Sequence, residues 1–576
     1  MKTKLISPEN IRKRCGLQLS FEDKSFTLWP EPVKARLRRP FSVFFSSFLK
    51  EKNCWLAAGV LIVLFLIWKL SPQPLLASDQ EIKTREEIPF KNIHFLEPGD
   101  SNQIRLLKAA RVIPRQRQLN WQKRELAAFI HFGINTFTDK EVGDGTEDPT
   151  VFNPTAFDPG QWARVLREAG FNMIIITAKH HDGFCLWPTQ TTDYSVKKSP
   201  WRQGRGDIIK EVSAACRKEG LAFGFYLSPW DRHEKTYGSP AYNEFFRAQL
   251  KELLTNYGPV AEVWFDGYCG EGPNGRKQEY DWSSYYELIR RLQPEAVIAI
   301  SGPDVRWVGN ESGLARETEW SVLPLALPEE EIAKLSQEET SLDNIFQPLT
   351  LMGEDLGSRE KILSARALFW YPAEVDVSIR PGWFYHHSQD DQVKSGLELF
   401  NIYLQSVGRN SVLLLNVPPD QRGLLADNDV MVLQDLSRLV AASFKRNLAR
   451  GAEIRTSRTA GSYNIEAVID SQAGTCWLAT DKEEPIIIEL ELDERAVMDC
   501  LELQEEISLG QRIESFKLEI WDGQGWLQVA TGTTVGYKRL ITFPKISAKK
   551  LRLVITSFRS APTLKKLGLY KLAAPL

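Results

Sequence analysis

From residue 110 to about 445, short apolar runs alternate with longer amphipathic segments. LAAFIHFGIN (126–135), NMIIITAKH (172–180), LAFGFYLSP (221–229), VAEVWFDG (260–267) and VIAISG (297–302) read as strands. DPGQWARVLREAG (158–170), DIIKEVSAACRKEG (207–220), FFRAQLKELLTNYG (245–258) and SSYYELIRRLQPE (283–295) read as the helices between them. Asp158 is placed to cap the first helix and Gly170 to stop it. In 207–220, Ile208, Ile209, Val212, Ala215 and Cys216 fall on one helical face. Later strands are expected at EVDVSI (374–379) and SVLLLNVPP (411–419). Near-continuous apolar strands between amphipathic helices predict a parallel sheet covered on both faces.

Two α/β architectures fit this rhythm. A doubly wound sheet usually carries a glycine-rich phosphate loop after its first strand. Here that strand runs into His131-Phe132-Gly133 without such a cradle, and the strand count approaches eight. The expected fold is therefore a (β/α)8-type barrel. Past residue 446 the helical period disappears. PIIIELEL (485–492), ESFKLEIWDG (514–523), LITFP (540–544) and KKLRLVITS (549–557) alternate between turn signals, predicting an antiparallel β-sandwich.

The N-terminus changes the picture of where the chain works. Residues 54–68, CWLAAGVLIVLFLIW, are an uncharged apolar run. The 53 residues before it carry twelve Lys/Arg and five Asp/Glu, a net +7. A basic flank stays cytoplasmic, so the rest is expected to be exported, to the periplasm, the exterior or a membrane anchorage. Ala77 and Ser78 resemble a cleavage site. A signal peptide and an uncleaved signal anchor both fit, and only the anchor would keep a membrane attachment. Residues 79 to about 110 are polar and mixed, and read as a linker or a short pre-barrel segment.

Composition adds less. The net charge of −2 gives no electrostatic footprint for nucleic acid. The seven cysteines form no CxxC pair, so no structural zinc site is expected; their number is odd and two precede the mature-looking region, so no disulfide framework is expected either, though a pairing of Cys476 with Cys500 is left open.

The chemistry-bearing residues fall at strand ends. His131 closes the first strand, His180 and His181 the second, and Asp266 the fourth. In a barrel the C-terminal ends of the strands form the active-site face. Asp266, in AEVWFDG, has the rigid placement that a glycosidase nucleophile requires, although an ordinary Asp-Gly turn gives the same pattern. AKHHDGF offers two imidazoles. Adjacent residues on a strand point to opposite faces, so both serve one pocket only if the strand has ended. Hydrogen bonding to sugar hydroxyls suits them better than a metal, which wants further ligands. WVGNESGLARETEW (307–320) is a loop with Glu311, Glu317 and Glu319. A retaining glycosidase needs a second carboxyl about 5–5.5 Å from the nucleophile. SIRPGWFYHH (378–387) gathers Arg380, Trp383, Tyr385 and His386, as a sugar clamp or as a packed loop.

FIHFGINTFTD, GDGTEDPTVFNP, TAKHHDGFCLWP, FGFYLSPWD, AEVWFDG, WVGNESG, VDVSIRPGWFYH and SVGRNSVLLLNVPPD occur in this order. Together they resemble the α-L-fucosidases of glycoside hydrolase family 29, in the branch associated with α-1,3/1,4-linked fucose. The resemblance covers roughly residues 110 to 560. It implies an exo-acting retaining enzyme with Asp266 as nucleophile and Glu311 as acid/base, Glu317 being the reserve. It implies His131, Glu141, His180, His181, Tyr226 and Trp264 as fucose-binding residues, fucosylated oligosaccharides or glycoconjugates as partners, and neither a cofactor nor a metal. It also implies a discoidin-like C-terminal module, which either binds sugars or buttresses the barrel; the lack of an evident exposed aromatic platform favours the buttress. One departure stands out. The usual Glu-Trp-Gly-Asp-Gly is EVGDG at 141–145, so Val142 replaces a Trp and removes an indole donor. Another exo-glycosidase, or a sugar-binding barrel without turnover, are the rival readings.

The expected organisation is a basic extension (1–53), a signal peptide or anchor (54–78), a linker (79–109), the catalytic barrel (110–445) and the sandwich (446–576).

Overall fold

The computed structural model describes residues 88–325 and 353–574, apart from 457, 462, 471–474 and 481–484. The basic extension and the apolar run expected at 1–53 and 54–78 lie outside the described residues. Among the described residues no helix is long and apolar enough to cross a membrane.

Eight parallel strands form a near-closed barrel. In chain order they are β1 (Leu126–Ile130), β2 (Met173–Lys179), β3 (Ala222–Leu227), β4 (Glu262–Phe265), β5 (Val297–Ile300), β6 (Arg306–Trp307), β7 (Ala373–Ser378) and β8 (Ser411–Asn416). The ladder runs β5-β4-β3-β2-β1-β8-β7-β6. Its two ends meet through Asp304 N and Val305 N, which donate to Ile298 O at 3.4 and 3.3 Å. The helices lie outside: α1 (Pro159–Glu168), α2 (Ile208–Glu219), α3 (Pro240–Asn256), α4 (Trp282–Leu292), α5 (Gly396–Ser406) and α6 (Asp427–Phe444).

Period-two alternation divides each strand between two cores. Ala127 and Phe129 of β1, Met173 and Ile175 of β2, and Val412 and Leu414 of β8 point inward and meet Tyr226 and Trp264. Ala128 and Ile130, Ile174 and Ile176, and Leu413 and Leu415 point outward and pack under the helices. Four of these helices, α1, α2, α4 and α5, start where a short polar side chain caps them. Asp158 accepts from Gln161 N at 3.0 Å and Asp207 from Lys210 N at 2.9 Å. Gly170 at φ 93° and Gly220 at φ 73° end α1 and α2, as glycine does where the left-handed region is required.

Several boundaries move from the sequence reading. β1 ends at Ile130, five residues earlier than expected, and a short helix, Ile134–Thr138, follows Gly133. α3 starts at Pro240, behind Ser239, because proline at a first helical position loses no hydrogen bond. Of the two readings of 79–109, the described part is a pre-barrel segment. Strand Ile93–Phe95 pairs with Ala367–Trp370, which pairs with Val322–Leu325 in a small antiparallel sheet, and helix Asn102–Ala110 follows.

The C-terminal module is all β. Ile486–Gln504 and Arg539–Phe558 are its long central strands, flanked by Glu453–Thr456, Ile513–Trp521, Trp526–Gly532 and Lys566–Tyr570. The separate strands expected at 540–544 and 549–557 are one strand whose register shifts at bulges. Cys476 and Cys500 do not pair. Both are free thiols, and Cys500 is buried in the central strand.

This module grips the barrel at the N-terminal ends of its strands. Glu125, just before β1, accepts Lys538 Nζ at 2.5 Å and the Tyr537 hydroxyl at 3.2 Å. Asn410, just before β8, accepts from Tyr537 N at 2.7 Å. Arg559 stacks on the Trp320 ring at 3.5 Å and pairs with Glu514. These contacts favour the buttress reading.

Candidate active site

At the opposite, C-terminal ends of the strands lies a cavity of about 420 Å³. His131, Glu141, His180, His181, Tyr226, Trp264, Asp266 and Glu311 all line it, so the sequence-predicted set comes together. Glu317 does not join it. It is bound to Arg539 and Arg409 against the sandwich. Glu319 is buried in an ion pair with Arg306.

Asp266 follows β4 directly. Its Oδ2 accepts the Tyr226 hydroxyl at 3.1 Å and its Oδ1 accepts Tyr268 N at 2.8 Å. His181 Nε2 is 3.6 Å from Oδ2. Two fixed donors thus hold the carboxylate in one orientation. Burial pushes the Tyr226 hydroxyl well above its usual range, so it stays a donor.

The imidazoles are neutral for a physical reason. β2 ends at Lys179, so His180 and His181 lie past the strand and both reach the cavity. That removes the objection that neighbours on a strand face apart. Burial pushes His131 down to about 3, and lowers His180 and His181 as well. Asn416 Nδ2 donates to Ser378 Oγ and to Trp383 O, so its Oδ1 faces His131 Nδ1 at 2.8 Å as an acceptor. His131 therefore carries its proton on Nδ1 and leaves Nε2 to accept from a ligand hydroxyl. His181 Nδ1 is tied to Ser228 Oγ at 2.7 Å. His180 Nδ1 is buried without a partner, 4.0 Å from Asp182 Oδ2.

Glu141 joins two loops. Its Oε2 accepts Trp383 N at 2.9 Å and its Oε1 meets His386 Nε2 at 2.6 Å. His386 Nδ1 meets Asp139 at 2.6 Å. Trp383 thereby stands 5.2 Å from the His131 ring and forms a cavity wall. Arg380 is no clamp. It is buried in ion pairs with Asp429 and Asp390, so the packed-loop reading holds for it and for Tyr385, which hydrogen-bonds Asp390. Val142 lines the cavity and is 44% exposed, leaving that side of the mouth open.

Phe129, Trp230, Tyr268 and Asp376 complete the lining and were not singled out from sequence. Asp376 had a signal: in EVDVS, Glu374, Asp376 and Ser378 alternate with valines, putting polar groups on the inward face. Phe129 looked like any core residue. Trp230 and Tyr268 sit in loops, where sequence gives no direction. Among the described residues no group of three His, Cys, Asp or Glu is placed to hold a metal.

Neutral imidazoles suit a ligand rich in hydroxyls, aromatic rings suit the face of a pyranose, and two carboxyls suit the cutting of an acetal. On a parallel barrel that is glycoside hydrolase chemistry. The comparisons with known proteins agree. Residues 115–443 match the family model Alpha-L-fucosidase, and residues 453–565 the F5/8 type C domain. Alpha-L-fucosidase 1 of Arabidopsis thaliana is 42% identical over 467 residues, covering 80% of this chain and 87% of that one. A putative α-L-fucosidase structure from Bacteroides ovatus superposes with a TM-score of 0.74 at 45% identity, over 85% of this chain and 79% of that one. A Ruminococcus gnavus GH29 fucosidase in complex with fucose gives 0.71 at 32% identity, over 80% and 95%. The chain belongs to the α-L-fucosidase family, and it is a glycoside hydrolase acting on fucosylated glycans.

Proposed function

We propose that the chain is an exo-acting, retaining α-L-fucosidase that releases fucose from α-1,3/1,4-fucosylated glycans. One observation carries this reading: Asp266 and Glu311 border a single cavity, and Asp266 is held there by Tyr226 and Tyr268. Asp266 attacks the anomeric carbon as the bond to the leaving oxygen breaks. Glu311 gives its proton to that oxygen. A water, losing its proton to Glu311, then cleaves the fucosyl–Asp266 ester and restores both carboxyls. His131, His180 and His181 accept or share hydroxyl hydrogen bonds, and Trp264 and Trp383 wall the sugar.

The open mouth around Val142, Trp230 and Tyr268 leaves room for a branched leaving group. Export, argued from the basic flank and apolar run of the N-terminus, would put the enzyme where such glycans are displayed.

Retention is tested by NMR of the first product from an aryl α-L-fucoside. The α-anomer should appear first, and a β-anomer appearing first would overturn the mechanism. Digestion of defined α-1,2, α-1,3, α-1,4 and α-1,6 fucosylated oligosaccharides tests the linkage. Preference for α-1,2 or α-1,6 would overturn that assignment.

A further inference from the structure

Three carboxyls are stacked on the inner surface of the barrel, and each accepts a tryptophan N–H. Glu262 Oε2 takes Trp121 Nε1 at 2.7 Å, Glu374 Oε2 takes Trp264 Nε1 at 2.8 Å, and Asp376 Oδ1 takes Trp307 Nε1 at 2.8 Å. A buried indole N–H needs an acceptor, but a buried acid is an expensive one. Glu262 and Glu374 interact with one another, and burial raises both, favouring a protonated pair. They lie beneath the floor residue Trp264. Asp376 is different. It is the upper rung, it borders the cavity together with Asp266 and Glu311, and it is only 5% exposed.

Its partner Trp307 ends β6, four residues before Glu311. The last ladder bond of that strand runs from Val308 N to Glu374 O at 2.9 Å. Between Asn310 and Leu314 the loop's hydrogen bonds run inside the loop: Asn310 Nδ2 to Leu314 O at 2.9 Å and Ser312 N to Asn310 Oδ1 at 3.0 Å. The loop carrying Glu311 therefore takes its aim from the residues at its root, and the Trp307–Asp376 bond is a side-chain tie at that root.

We propose that Asp376 is a positioning residue for the acid/base: by holding the Trp307 indole it fixes where the Glu311 carboxyl meets the leaving oxygen. This rests on the reading of Glu311 as acid/base. Burial pushes the Asp376 carboxyl up to about 7, with the nearby Glu311 and Asp266 carboxyls adding to the rise. An amide imitates the protonated form of such a carboxyl and keeps an oxygen for the indole.

The test uses the full chain with two substrates, an activated aryl fucoside and a fucosylated oligosaccharide with a poor leaving group. Protonation of the leaving oxygen matters for the second far more than the first. Asp376→Ala should lower kcat on the oligosaccharide by roughly 10–100-fold and on the aryl fucoside by under about 3-fold. Trp307→Phe, which keeps a ring and drops the N–H, should do the same, and it carries the test if Asp376→Ala does not fold. Asp376→Asn should regain most of the lost turnover. The double variant should be no worse than the poorer single one, since both remove one bond. Equal losses on both substrates, additive losses, or no regain with Asn would overturn the proposal. Glu311→Ala separates the two readings. If it lacks the leaving-group split and azide rescue, the acid assignment itself fails. If it shows both while Asp376→Ala affects the two substrates alike, only the positioning role fails.

Discussion

The same eight strands carry charge in two different ways at their two ends. At the N-terminal ends the charges next to the sandwich are matched by neighbours of opposite sign. Glu125 meets Lys538, Arg306 meets Glu319, and Glu317 meets Arg539 and Arg409. At the C-terminal ends Asp266 and Glu311 share one cavity with imidazoles that burial keeps neutral. No cation within that lining cancels them. Matched charge next to the sandwich fixes structure. Unmatched carboxyls beside a cavity are available for reaction, and this is the distinction between the stability face and the active face of a barrel.

The comparison breaks if changes at the active end cost stability or changes at the other end alter chemistry. The largest effect should come from Asp266→Ala. Turnover on any fucoside should fall by at least about 10³-fold, with the thermal midpoint nearly unchanged. Glu311→Ala should come next, with a loss of roughly 10²–10³-fold on oligosaccharides, a much smaller one on activated aryl fucosides, and rescue by azide. Glu317→Ala, removing a carboxyl bound at the sandwich, should leave that leaving-group dependence as it was. If Glu317→Ala produced it instead, the acid would lie at the wrong end of the barrel and the contrast would collapse.

The opposite end answers in stability. Glu319 and Arg306 are both almost wholly buried, with 1% and 2% of their side chains exposed. Glu319→Ala leaves the guanidinium buried without its carboxylate, at a cost of about 3–5 kcal/mol. Urea unfolding should show that loss, while kcat/KM of the folded fraction stays within a factor of about two.

The two ends were not equally legible in the sequence. His131, His180, His181 and Asp266 break apolar runs, and a polar residue that ends a buried strand is visible without knowledge of the fold. Glu311 could be drawn from three loop acids only through the ordered motifs, because a loop has no period to aim its side chains. Trp383 reaches the cavity through Glu141, which lies 242 positions away in the chain, so no local pattern records it. The charges of the N-terminal end are harder still. Glu125 finds Lys538 across 413 positions, and an unpaired-looking Glu in sequence reads as solvated surface. The small sheet of 93–95, 322–325 and 367–370 is assembled from distant segments for the same reason. The strands, the helices between them and the Asp158 cap were readable because each is fixed by neighbours in the chain.

A smaller effect sharpens the active end. Tyr268 is 61% exposed, its ring 5.0 Å from Trp230, beyond the donors that hold Asp266. Tyr268→Ala keeps the backbone donor to Asp266 and removes a face for the leaving glycan. KM for oligosaccharides should rise by about 3–10-fold, equivalent to about 1 kcal/mol of aromatic contact, with little change for small aryl fucosides. A matching rise for both substrates would place Tyr268 against the fucose instead.

The smallest effect concerns His386, a rim imidazole whose partners favour its charged form. Burial disfavours the charged form of His386, yet its hydrogen bonds to Asp139 and Glu141 outweigh burial and raise its pKa above the usual 6.5. A group raised on folding contributes stability that is full below its unfolded value and is lost as pH rises through its folded value. The loss should therefore fall at pH above 6.5, as the bridge between the loops after β1 and β7 weakens. Asp139 and Glu141 have 73% and 42% of their side chains exposed, so solvent screens the pair and the contribution should stay below about 1 kcal/mol. Urea midpoints of the protein and of His386→Asn, followed from pH 5.5 to 9, should differ most at the acid end and converge at the alkaline end. Because Glu141 also holds Trp383 N, KM should rise over the same pH interval in the unmodified protein and stay flatter in the variant. A gap that widened with pH would show that His386 is neutral in the fold, like the three imidazoles behind it.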